Sequence, residues 1–129
     1  MRELTRLLKV LSDESRLRVL NLLQEREACV CEVMQVMDIS QSKASRILSA
    51  LYDAGLLKLR REGRWALYSI ETDPSKDYVK DILTGIKRSL ADNPAAAEDL
   101  ERLKKAERVG PACVSGGCKT SLADEASIA

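Results

Sequence analysis

The chain has 129 residues, enough for one domain with a modest core. Its 45% hydrophobic and 32% charged content is that of a globular protein, and no run approaches the ~20 apolar residues that span a bilayer. The net charge is only +1, there is no histidine, and Met1-Arg2-Glu3-Leu4 lacks the apolar core of a secretory signal, so a cytoplasmic protein with no membrane partner is expected.

Leu4, Leu7, Leu8 and Leu11 recur at helical spacing and predict a first helix from about Glu3 to Leu11. Ser12 or Asp13 stands where a second helix needs its cap, with Leu17, Leu20 and Leu23 along one stripe. A third helix is predicted from about Cys29 to Met37, on Val30, Val33, Met34 and Met37. Asp38-Ile39-Ser40 breaks the pattern, and Ser40 is a good N-cap for a fourth helix, Gln41 to Ala54, stopped by Gly55. Leu57 to Arg61 and Trp65 to Ile70 read as strands, joined by Glu62-Gly63-Arg64 as a hairpin turn.

Thr72-Asp73-Pro74 opens a fifth helix from about Ser75 to Ala91, with Tyr78, Ile82, Ile86 and Leu90 in a stripe. A core this small has little room for another apolar helix, so this helix and the first are the expected seam of a homodimer. Asn93-Pro94 starts a charged sixth helix to about Val109, anchored by Leu100 and Leu103. From Gly110 onward the residues are small and polar, a composition that predicts a mobile tail carrying Cys113 and Cys118. The expected fold is mainly α with a small β-hairpin: a dimeric winged helix-turn-helix. Residues 1–91 form the DNA-binding and dimerisation domain, 92–109 a charged helix, and 110–129 the tail.

Charge is unevenly distributed. Between Ser40 and Ile70 stand six basic residues (Lys43, Arg46, Lys58, Arg60, Arg61, Arg64) and two acidic ones (Asp53, Glu62), a local net of +4. A basic patch on a near-neutral chain suits phosphate contact, although a solvated face has the same look. A recognition helix presents its N-terminal polar residues to base edges, here Gln41, Ser42, Lys43, Ser45 and Arg46. The hairpin arginines, Arg61 and Arg64 foremost, are expected on phosphates or in the minor groove. Double-stranded operator DNA is the expected partner. Enzymatic chemistry has little support, with no histidine and no phosphate loop.

Four cysteines in a reducing compartment point to ligands or redox groups rather than a disulfide framework. Cys29 and Cys31 flank one residue at the start of the third helix, where the helix dipole favours thiolate. Thiolates select soft ions. Side chains two apart on a regular helix point about 200° away from each other. Capture of one ion by both is therefore expected to distort the third helix, and through it the recognition helix. Burial as a small hydrophobe is the plain alternative for any of these cysteines.

The segments Leu11-Ser-Asp-Glu-Ser-Arg-Leu-Arg-Val-Leu20, Cys29-Val-Cys-Glu-Val33, Ser40-Gln-Ser-Lys-Ala-Ser-Arg46, Ala54-Gly55-Leu56 and Arg61-Glu-Gly-Arg-Trp65 follow one another in a distinctive order. Over about residues 4 to 90 the chain resembles the ArsR/SmtB family of metal-sensing repressors. The resemblance implies a homodimeric repressor that leaves its operator when a toxic ion is captured. The Cys-Val-Cys segment is similar to the arsenite-responsive branch, in which a third cysteine follows three positions later; here that position is Met34. The resemblance implies As(III) or Sb(III) as inducer, no permanent cofactor, and Cys29 and Cys31 as ligands; with Met34 in the third position, a third thiolate is expected from Cys113 or Cys118 of the same or the other subunit, with two thiolates plus solvent as the alternative. Zinc sensing through the fifth helix is disfavoured by the lack of histidine. A redox switch, a cadmium or lead sensor, and a structural zinc site made from all four cysteines are the alternatives.

Overall fold

The computed structural model describes residues 1–71 and 75–108. Among the described residues, six helices and one hairpin follow in chain order. They are α1 (Arg2–Leu11), α2 (Glu14–Glu25), α3 (Val30–Met37), α4 (Gln41–Asp53), β1 (Leu57–Glu62), β2 (Trp65–Ile70), α5 (Asp77–Leu90) and α6 (Pro94–Lys105). The mainly α winged architecture expected from the sequence is therefore present. No described helix is long and apolar enough to cross a membrane.

The punctuation residues act as their chemistry dictates. Asp13 caps α2 by accepting from the Arg16 amide at 3.0 Å, and Ser40 caps α4 through the Lys43 amide at 3.1 Å. Asp38 takes a left-handed conformation at the end of α3 (φ 56°), which turns the chain toward α4. Gly55 (φ +84°) closes α4 in a Schellman arrangement, with the Leu56 amide donating to Leu51 and the Gly55 amide to Tyr52. Gly63 (φ +60°) turns the hairpin, whose register sets Arg60 opposite Leu67 and Arg61 opposite Ala66.

The main core joins Leu7 and Leu11 of α1, Val19, Leu20 and Leu23 of α2, Val30 and Val33 of α3, and Ala44, Ile47, Leu48 and Leu51 of α4. Leu57 and Leu67 of the hairpin and Leu83 of α5 complete it. The rest of the α1 and α5 stripes stays open: Leu4, Leu8 and Tyr78 are exposed, and Val79, Ile82, Ile86 and Leu90 only half-buried.

The sixth helix is no bystander. Leu103 packs with Leu22 of α2 and Val36 of α3 in a second buried cluster. Asp99, 2% exposed, accepts a two-pronged bond from Arg18 at 2.8 and 2.9 Å. Arg102 donates to the Val36 carbonyl at 3.1 Å. The helix ends at Lys105 rather than near Val109. Residues 106–108 run on across α3, where Gln35 exchanges hydrogen bonds with the backbone of Glu107.

Candidate thiol site and nucleic-acid interface

Cys29 is not the first residue of α3 but its N-cap, with extended backbone (φ −96°, ψ 172°). The helix begins at Val30, one residue later than the periodicity predicts. Glu32 explains the shift. Its side chain reaches back to accept from the Cys29 amide at 3.0 Å, the carboxylate half of a capping box. The pair therefore escapes the divergence of about 200° that a regular helix imposes on side chains two apart. Because Cys29 lies outside the helix, its sulfur turns toward Cys31, and the two Sγ atoms stand 2.6 Å apart. The sulfurs stand together with α3 intact, so the premise that the two side chains point apart does not hold here.

Both cysteines are buried, Cys29 completely and Cys31 to 3% exposure. Burial pushes the Cys29 thiol up to about 11; the Glu32 amide opposes the rise and the Glu32 carboxylate adds to it. The helix-terminus field was expected to lower this thiol, and desolvation outweighs it. Glu32 is itself 2% exposed yet carries ion pairs on both oxygens: Arg26 Nη1 at 2.8 Å and Arg108 Nε at 3.2 Å. A buried carboxylate needs such partners. Arg26 also donates to the carbonyls of Glu27 and Leu103, so one guanidinium ties α6 to the segment leading into α3.

Sequence reasoning missed Glu32, Arg26 and Arg108. The signal for Glu32 was present, since Cys29-x-x-Glu32 has the spacing of a capping box with sulfur in place of a hydroxyl. Met34 lies buried on α3. Cys113 and Cys118 lie outside the described residues. Among the described residues, no group of three or more cysteines and carboxylates is arranged to hold a metal ion.

The residues expected to read DNA fall on the outside of α4 and on the hairpin. Ser42, Lys43 and Arg46 are exposed, while Gln41 and Ser45 are half-buried and bonded to each other at 3.0 Å. Ala44, Ile47 and Leu48 point into the core, so the polar face of α4 is directed away from it. Arg61 and Arg64 are exposed on the wing. Arg60 departs from the expectation of a phosphate contact. Its Nε donates to Glu27 at 3.0 Å and its Nη2 bonds Glu27 and, at 3.4 Å, Glu62.

A short α3–turn–α4 pair, a capped second helix with an outward polar face, and a basic hairpin directly after it define a winged helix-turn-helix DNA-binding protein. Residues 13–58 match the family model of bacterial regulatory proteins of the arsR family. The chain is 35% identical over 88 residues to the arsenical resistance operon repressor of Staphylococcus xylosus, covering 68% of this chain and 84% of that protein. It therefore belongs to the ArsR family. A second relative is the arsenic resistance transcriptional regulator ArsR1 of Pseudomonas putida, 38% identical over 79 residues. That match covers 60% of this chain and only 61% of the relative's own length. Among solved structures, the homodimeric winged helix-turn-helix DNA-binding domain of Mb0332 from Mycobacterium bovis, a possible ArsR-family transcriptional regulator, superposes with a TM-score of 0.60 at 26% identity. It covers 72% of this chain and 82% of its own.

Proposed function

We propose that the protein is a homodimeric transcriptional repressor that holds operator DNA through α4 and the wing and releases it on capturing As(III) or Sb(III). The observation that carries this reading is the convergence of two buried cysteine sulfurs, 2.6 Å apart, at the N-cap of the first helix of the helix-turn-helix. A close pair of sulfurs, once reduced, offers soft donors that suit a thiophilic ion. The named relatives that regulate arsenic resistance support the choice of ion. So does the chemistry of a buried thiol. Trihydroxo-arsenite condenses with neutral thiols, each S–H proton leaving with a hydroxyl as water, whereas divalent ions require the thiols to be deprotonated first. No permanent cofactor enters the scheme.

The third thiolate is assigned to the C-terminal segment. Arg108 is pinned to Glu32, three residues from Cys29, and Cys113 follows five residues later. At ~3.3–3.6 Å per extended residue, five residues span up to about 17 Å. Cys118 is the alternative donor. DNA recognition is assigned to Gln41, Ser42, Lys43, Ser45 and Arg46, with Arg61 and Arg64 on the wing. The open α1 and α5 stripes, and the homodimer of the Mycobacterium bovis domain, support the dimer.

The test is fluorescence anisotropy of the reduced protein on the DNA upstream of its own gene. Arsenite is expected to release the DNA and zinc to leave it bound, with Cys29→Ser binding DNA but ignoring arsenite. Tight binding that ignores arsenite in the wild type contradicts the reading. A second reading is a thiol redox switch between a helix cysteine and a tail cysteine, in which peroxide takes two electrons and two protons from two thiols and leaves a disulfide and two waters. Release by peroxide but not by arsenite selects it.

A further inference from the structure

The segment that carries the thiol pair is fastened to the wing, not only to the recognition helix. Ala28, directly before Cys29, forms both hydrogen bonds of an antiparallel bridge with Tyr68 of β2, at 3.0 and 2.9 Å. Glu27, one residue earlier, is gripped by both arms of Arg60 from β1. Arg60 also reaches Glu62, and Arg108 stands between Glu62 (4.0 Å) and Glu32 (3.2 Å). Residues 27, 28 and 32 are thus each tied, directly or through one arginine, to the hairpin.

We propose that the wing is an output of the thiol site, and that Arg60 is a positioning residue that transmits inducer capture to it through Glu27. The inference rests on the reading of Cys29 and Cys31 as inducer ligands. Both sulfurs are buried in a close-packed segment, so admitting an ion displaces the backbone around them. The Glu32 capping bond holds the α3 side of Cys29, and the displacement passes to Ala28 and Glu27. Those two residues carry β2 and β1 with them. Arg60 is suited to this task because a two-pronged guanidinium–carboxylate contact fixes orientation as well as distance. An exposed ion pair adds little to stability, so the tie can be cut without unfolding the domain.

The experiment measures, for each variant, the ratio of operator Kd with saturating arsenite to that without, beside calorimetric arsenite affinity. Taking the ratio within each variant removes the direct effect of a lost wing charge. Glu27→Gln and Arg60→Gln are expected to bind arsenite like the wild type, while their ratio falls by about fivefold or more. The exchanged pair, Glu27→Arg with Arg60→Glu, restores it. Unchanged ratios in both single variants, with arsenite binding intact, overturn the proposal and leave the repressor reading standing. A wild type that neither binds arsenite nor releases DNA overturns that reading, and this inference with it.

Discussion

At the scale of a residue, the chemistry of the site turns on Cys29 being a cap rather than a helical residue. The extended backbone at one position reverses the geometry of the pair. Burial then sets its reactivity. With the thiol pushed up to about 11 from an ordinary 9.0, the folded state favours the neutral form. Stability from this group is fully present below pH 9 and is lost as pH rises through about 11. Alkylation of Cys29 by iodoacetamide, followed by peptide mass mapping, is expected to be slow at pH 8 and to climb steeply toward pH 11. Rapid alkylation at pH 7 contradicts the buried, protonated thiol. The resemblance marked the pair as candidate ligands, but periodicity did not show how the two sulfurs meet. Apolar spacing locates a helix to within a residue or two, and here one residue decides whether the side chains diverge or converge.

At the scale of an element, α6 shows most clearly what one-dimensional reasoning leaves out. Its charged surface and the anchors Leu100 and Leu103 are plain in the sequence. Its target is not, because nothing local connects Asp99 to Arg18 or Arg108 to Glu32, 81 and 76 residues apart. The helices, the caps at Asp13 and Ser40 and the hairpin turn at Gly63 were legible because each depends on neighbours in the chain. The packing of α6 against α2 and α3 makes it a brace for the element that bears the thiol site. Leu103→Ala, at a position 1% exposed, is expected to cost about 2–5 kcal/mol in urea unfolding. It is also expected to weaken arsenite binding more than DNA binding, since the 106–108 segment loses its seat beside Cys29. A change within about 0.5 kcal/mol argues that α6 is not docked.

At the scale of the whole molecule, one subunit leaves apolar surface on two helices that its own core does not cover. Leu8 is half exposed and Tyr78 38% exposed, and the α5 stripe is only half-buried. On the proposed reading, a second copy buries these faces and brings a second recognition helix to a two-fold operator. Leu8→Glu leaves the buried Leu7 and Leu11 in place, so the subunit is expected to fold. Sedimentation is then expected to show a monomer, and operator affinity to fall with it. A Leu8→Glu dimer that binds as the wild type does contradicts α1 as part of the seam. The charge distribution belongs to this scale too. A chain of net charge +1 carries a local +4 over residues 40–70, and neutralising phosphates with it is expected to make affinity fall steeply with salt.

The central claim is that Cys29 and Cys31 hold one ion between them at the start of α3. X-ray absorption at the arsenic edge, on reduced protein loaded with one equivalent of arsenite, tests it most directly. The account predicts three sulfur neighbours and no oxygen in the wild type. It predicts two sulfurs in Cys31→Ser, and two when both Cys113 and Cys118 are replaced by serine. An oxygen-only shell in the wild type, or a sulfur count untouched by Cys31→Ser, contradicts it.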